Sequence, residues 1–110
     1  MGGESIEGET LSNDELASWI TTVLRALGSA GARGPLTLQA FLTKKGPVVT
    51  DVNPRFGGGV PLTFAAGGNY ADWLLRMAAN ENVPVRLGDY EAGLLMTRAL
   101  TEEFTTEPYW

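Results

Sequence analysis

The stretch "LTLQAFLTKKGPVVTDVN", Leu36 to Asn53, decides how this chain is built. Leu36, Leu38, Ala40 and Leu42 alternate with Thr37, Gln39, Phe41 and Thr43, a period of two that predicts a strand. Lys44-Lys45-Gly46 interrupts the alternation and "PVVTDVN" returns, so an antiparallel hairpin is expected over about residues 35–53. A three-residue loop with Gly46 in the left-handed conformation pairs Thr43 with Pro47. Counting back from that pair, Gln39 faces Asp51 across the ribbon, with Cβ atoms roughly 5 Å apart. Asn53, two residues further on, shares the same face. This convergence depends on the turn, because a two-residue loop would shift the register and break it.

Moving outward, "TDVNPRFGGGV" runs from Thr50 to Val60. Asp51 and Asn53 both offer oxygen to a hard cation. Pro54 biases Asn53 towards an extended conformation. Arg55 presents a permanent planar cation suited to phosphate oxygens. Gly57, Gly58 and Gly59 allow close backbone approach to a ligand and expose amides that can bind an anion. The same residues also fit a plain turn after an edge strand, with Asn-Pro as punctuation and the glycines as slack. Gln39 alone is an ordinary residue for the polar face of a strand; only the pairing with Asp51 sets it apart. Lys44 and Lys45 read as a solvated turn.

On the N-terminal side, Ser12 and Glu15 occupy capping-box positions, and Leu16, Ile20, Val23, Leu24 and Leu27 recur at helical spacing. A helix over about 13–27 follows, ended by Gly28 and Gly31. On the other side, "VPLTFAAGG" reads as a short helical or turn segment. "NYADWLLRMAANEN" predicts an amphipathic helix over about 70–80, with Tyr70, Trp73 and Met77 as core and Arg76 solvated. "EAGLLMTRALTEEFT" suits either a helix or a strand; its alternation favours a strand over about 93–104. Arg98 in that segment could reach phosphate or pair with Glu102 or Glu103. The expected fold is therefore α+β: one domain, an antiparallel sheet of three to four strands, and two main helices packed on one face.

Composition narrows the chemistry. A chain of 110 residues builds one modest core. It contains neither cysteine nor histidine, which excludes disulfides, thiolate zinc sites and Ser-His devices, and leaves oxygen-bound ions such as Mg²⁺ or Mn²⁺. A net charge of −5 with eight scattered basic residues argues against nucleic acid as a partner. No apolar run approaches the roughly 20 residues of a membrane span. The first residues lack a basic segment and an apolar stretch, so no secretory signal is read and a cytoplasmic location is the default expectation.

The block "LTLQAFLTKKGPVVTDVNPRFGGGVPLTFAAGGNYADWLL" resembles the C-terminal part of the ATP-grasp fold. It is closest to the carbamoyl-phosphate-synthase-like branch, which shows a Gln strand, a hairpin and an acidic-x-Asn-Pro-Arg-Phe-Gly-Gly-Gly motif. "GDYEAGLLMTRALTEEF" is similar to the strand that follows in that branch, and "GESIEGET" with the first helix sits where the family has them. The resemblance implies an enzyme that activates a small carboxylate as an acyl phosphate using ATP and Mg²⁺, before an amine or other nucleophile attacks. It also implies Asp51 and Asn53 as metal ligands with Gln39 beside them, Arg55 on the transferred phosphate, and Gly57–Gly59 bordering the acceptor. Phosphoryl transfer needs positioning and charge neutralisation more than covalent chemistry, which fits a chain without histidine or cysteine.

Two departures stand out. Asp51 occupies a position where the family usually has Glu, and one methylene less draws the carboxylate back by about 1.5 Å. The lysine-bearing strand and the nucleotide lid of a complete ATP-grasp enzyme do not occur in this sequence. The expectation is a chain without turnover of its own, joined in cis or in trans to the remainder of such an enzyme. A homodimer covering apolar surface left open is a further expectation.

Overall fold

The computed structural model describes residues 5–99, 101–102 and 104–106. Along the chain run β1 (Glu7–Glu9), α1 (Asp14–Ser29), β2 (Thr37–Thr43), β3 (Gly46–Asn53), α2 (Val60–Ala65), α3 (Tyr70–Ala78) and β4 (Leu95–Thr97). The fold is α+β with antiparallel strands. Among the described residues four strands form two separate ribbons, β1–β4 and β2–β3, and not the single sheet expected. β1 escapes the sequence because Glu7-Gly8-Glu9 has no apolar alternation; it is a strand by virtue of its partner.

The β2–β3 hairpin departs from expectation twice, and the departures cancel. Thr43 pairs with Gly46, so the loop is the two residues Lys44-Lys45. Gln39 nevertheless pairs with Asp51, because Ala40 pairs with Val49 and Thr50 is left over as a β-bulge. The side-chain pattern explains the extra residue. Pro47 and Val49 share a face with Leu42 and Ala40, yet the next apolar residue of β3 is Val52, three positions on. One inserted residue brings Val52 round to that apolar face beside Leu38. The same insertion places Asp51 and Asn53 with Gln39 and Thr37 on the opposite face. At the turn, Gly46 adopts the expected left-handed conformation, with φ of 109°. The Thr43 hydroxyl donates to Gly46 O at 2.7 Å and accepts from Lys45 N at 3.1 Å.

Helix α1 starts at Asp14, one residue later than expected. Asn13, extended at φ −151° and ψ 109°, accepts from Leu16 N at 2.9 Å through its side chain, so Asn13 and not Ser12 caps the helix. Asp14 and Glu15 then lie in the first turn, where the helix dipole favours negative charge. Gly28 is carried inside the helix, which ends at Ser29. Helix α3 is capped by Asn69, which accepts from Asp72 N at 3.2 Å. The helix ends where Asn80 turns left-handed at φ 59°. Arg76, expected to be solvated, pairs with Glu81 at 2.8 Å across this exposed end.

The strand expected over 93–104 contracts to Leu95–Thr97, and residues 100 and 103 lie outside the described residues. Its partner β1 has three residues, and a ladder extends only as far as both strands do. Polar ties reinforce this short ribbon. The Thr10 hydroxyl donates to Glu91 O at 2.7 Å and accepts from Leu94 N at 2.9 Å, and the Tyr90 hydroxyl donates to Leu11 O.

The apolar faces of α1 and α3 do not close into the core that the sequence suggests. Among the described residues, Ala66 is the only buried apolar one. Leu16, Ile20, Val23 and Leu27 are half-buried, whereas Tyr70 and Met77 remain 47% and 50% exposed. A two-stranded ribbon offers no layer broad enough to cover two helices. The Tyr70–Trp73–Met77 stripe accordingly lines an open trough between α1 and α3. The chain exposes 9045 Å², against about 5,900 Å² for a folded monomer of its mass.

Candidate metal and phosphate site

The face of the hairpin opposite Leu38, Ala40 and Leu42 carries the oxygen donors, with the exposed Phe41–Val48 pair nearer the turn. Asp51 and Asn53, alternate residues of β3, are joined directly: Asn53 Nδ2 donates to Asp51 Oδ2 at 2.7 Å. Asp51 Oδ1 accepts from the following amide, Val52 N, at 2.9 Å. Gln39 is cross-strand partner to Asp51 and is exposed. The register therefore brings Gln39, Asp51 and Asn53 to one patch, as the sequence predicts, although by a two-residue turn and a bulge.

These residues fit a hard cation. Every donor is oxygen, and the bond between Asn53 and Asp51 orients both side chains while Asn53 Oδ1 stays available. One carboxylate and two carboxamides match an ion that keeps much of its water shell, as Mg²⁺ does. Among the described residues no three His, Cys, Asp or Glu side chains come together, so any cation site here depends on carboxamides.

The chain leaves β3 through a tight turn across Pro54, with Arg55 N donating to Asn53 O at 2.8 Å. The turn is fastened to β2, because the Thr37 hydroxyl donates to Arg55 O at 2.7 Å. Arg55 is exposed, and its Nη1 donates to the carbonyl of Phe56 at 2.9 Å. That contact occupies part of the guanidinium fork and leaves further N–H groups for an anion. Phe56 meets Phe64 of α2 edge-on, with ring centroids 6.5 Å apart.

The three glycines have distinct duties. A Cβ on Gly57 would stand 2.9 Å from Thr37 Cγ2, so close packing of loop against β2 requires glycine there. All three carbonyls are engaged: Gly57 O accepts from Val60 N, Gly59 O from Leu62 N and Thr63 N, and Gly58 O from Arg98 Nη2 at 2.8 Å. None of the three amides donates a hydrogen bond within the described residues. Anion-binding potential thus resides in the N–H groups, while the carbonyls hold the loop in shape.

Arg98 extends from the end of β4 to this loop, and its own amide donates to Ile6 O at 2.7 Å. It links the β1–β4 ribbon to the glycines and is a positioning residue for them. The bond to Gly58 is a role beyond the two expected for it; Glu103, one of its expected partners, lies outside the described residues. Thr37 was missed by sequence reasoning, since a threonine opening a strand carries no signal of a link eighteen residues away.

A larger feature lies beside this patch. The trough between α1 and α3 holds a cavity of about 870 Å³, lined by Leu24, Trp73, Leu74, Met77, Val83 and Val85 among others, and bordered by Phe56 and Gly57. A second cavity of about 480 Å³ continues past Trp73 to Glu9 and Asp89. Its apolar walls make the larger cavity a poor seat for phosphates. Asp89 pairs there with Arg86 at 3.0 Å, and the Arg86 guanidinium stands 5.8 Å above the Trp73 ring. No helix among the described residues is long and apolar enough to cross a membrane.

Comparison with protein-family models gives no match to this chain, and no curated protein matches it.

Proposed function

We propose that this chain is the C-terminal part of a cytoplasmic ATP-grasp ligase, contributing metal- and phosphate-binding residues to ATP-dependent formation of an acyl phosphate. The supporting observation is the pairing of Gln39 with Asp51, together with the 2.7 Å bond from Asn53 to Asp51, on one strand face next to Arg55. Gln39, Asp51 and Asn53 would hold Mg²⁺ or Mn²⁺, and Arg55 with the amides of Gly57, Gly58 and Gly59 would hold ATP phosphates. The ion supplies charge neutralisation at the phosphates when bound. Arg55 serves the same end from a fixed positive charge, orienting the transferred group and stabilising charge as it moves between oxygens. The lysine-bearing strand and the lid belong to the remainder of the enzyme, so the chain alone binds without turning over, and the small carboxylate substrate is completed by that partner.

The test is titration of Mg²⁺ and ATP while following the amide resonances of Gln39, Asp51, Asn53 and Gly57–Gly59. Shifts confined to this set are expected, and Arg55→Ala should weaken ATP affinity by more than tenfold, the loss of one charge-assisted contact. ATP binding that is indifferent to Arg55→Ala would remove the arginine from the site. Silence at every one of these amides would remove the ligand role altogether.

A second reading, a binding module without catalysis, is favoured by one observation. Both oxygens of Asp51 already accept hydrogen bonds within β3, and the short side chain must give up part of that arrangement to bridge two ions. Supplying the lysine-bearing partner in trans separates the readings: acyl-phosphate formation supports the ligase, and binding without turnover supports the module.

A further inference from the structure

The larger cavity meets the candidate site at three residues. Thr37, on its wall, pairs with Asn53 across the hairpin and donates to the Arg55 carbonyl at 2.7 Å. Phe56, also on the wall, accepts at its carbonyl from Arg55 Nη1 at 2.9 Å. Gly57 follows, packed so closely that a Cβ there would stand 2.9 Å from Thr37 Cγ2. One end of the cavity therefore adjoins the oxygen donors, the arginine and the first of the glycine amides.

The rest of the wall has a different chemistry. Leu24, Leu36, Trp73, Leu74, Met77 and Val85 form much of it, and among the described residues Arg86 is the one charged side chain along it. That charge is already met, by Asp89 at 3.0 Å and by the face of the Trp73 ring. Tyr70 and Trp73 stand edge-on, with ring centroids 4.9 Å apart. Such a wall disfavours a charged or heavily hydroxylated guest, because each polar group placed there loses water and gains no partner. It accepts rings and alkyl chains. The volume of about 870 Å³ falls in the range, roughly 300–1,000 Å³, of pockets for ligands much larger than acetate.

We infer that the carboxylate taken by this site is an aryl-alkyl acid, its rings in the α1–α3 cavity and its head group at Thr37 and Gly57, beside Arg55. The inference rests on the reading of that patch as a phosphate site and adds the class of its acid. Both ends of the cavity select the occupant together. A guest without charge leaves the arginine and the glycine amides unused, and a small polar acid leaves the apolar wall wet. One carboxylate on an aromatic body satisfies both.

The test uses 2-naphthylacetate, with 2-naphthaleneethanol lacking the charge and acetate lacking the rings, each titrated into the full chain without ATP or metal. The naphthyl acid is expected to shift the Trp73 indole and the amides of Phe56 and Gly57, and to bind about tenfold more tightly than either counterpart. Val85 is 86% exposed, so Val85→Glu keeps the fold while charging the apolar wall. It should weaken both naphthyl probes by more than about fivefold. Arg55→Ala should weaken the acid by about tenfold and leave the alcohol unchanged. A Trp73 indole that no probe moves overturns the inference, as does equal affinity for acid and alcohol, or indifference to Val85→Glu. A separate titration with Mg²⁺ and ATP keeps the two readings apart. Response of Gln39, Asp51 and Asn53 with Trp73 unmoved by the naphthyl acid removes the apolar acid and spares the ligase. Ring- and Arg55-dependent binding with those three silent supports the acid pocket and removes the ligase.

Discussion

The two ribbons of this protein are each closed by a threonine doing the same two things. In the β2–β3 hairpin, the Thr43 hydroxyl donates to a carbonyl and accepts from an amide across a span of three residues. In the β1–β4 ribbon, the Thr10 hydroxyl donates to Glu91 O and accepts from Leu94 N, across more than eighty residues. The chemistry is the same and the setting is not. The hairpin has long strands and a two-residue turn that would hold the pairing without its threonine. The other ribbon has three residues on each side and no turn joining them, so its side-chain ties supply a larger share of its stability. Local connection gives register cheaply; distant connection needs polar fasteners.

That contrast can be tested in order of expected effect. Arg98→Met should cost the most, about 1.5–3 kcal/mol, because it removes a charged donor from the Gly58 carbonyl. Hydrogen exchange at the amides of Gly93 and Arg98 should accelerate, while hairpin amides keep their protection. Thr10→Val removes two hydrogen bonds at about 1 kcal/mol each and should also open the β1–β4 ribbon selectively. Thr43→Val deletes the same two bonds by count, yet should cost no more than about 0.5–1 kcal/mol, because solvent reaches the turn and the ladder persists. Equal costs for the two threonines, measured by denaturant unfolding, would break the comparison. The smallest effect is expected from deleting Thr50. Without the bulged residue Gln39 still meets Asp51, so any affinity of the proposed cation site should remain within about threefold and the ribbon should only lose twist.

The same contrast explains what could be read from the amino acids alone. The hairpin was legible because period two, a glycine turn and opposing polar residues all lie within eighteen positions. The Gln39–Asp51 pair came out correctly, although the route assumed a three-residue loop, and the spacing of Val49 and Val52 was the overlooked sign of the bulge. Helices α1 and α3 were legible from their spacing, and Asn13 displaced Ser12 as cap because adjacent short polar residues compete for one task. β1 was not legible, since its strand character comes from β4 nearly ninety positions away. The link from Thr37 to Arg55 and that from Arg98 to Gly58 were hidden for the same reason: each is set by tertiary approach. Nor could apolar periodicity reveal that the helix faces would line a trough, because it predicts which side seeks cover and not whether cover is present.

The extra residue at Thr50 has one more consequence. A two-stranded ribbon with an apolar face and two open edges is a template onto which further strands could add without limit. An unpaired residue in the middle of β3 breaks the even spacing of N–H and C=O groups along that edge, and Pro47 removes another donor from it. A flat incoming strand finds no continuous row to copy. The irregularity that sets the side-chain faces thereby also guards the molecule against growing into fibrils.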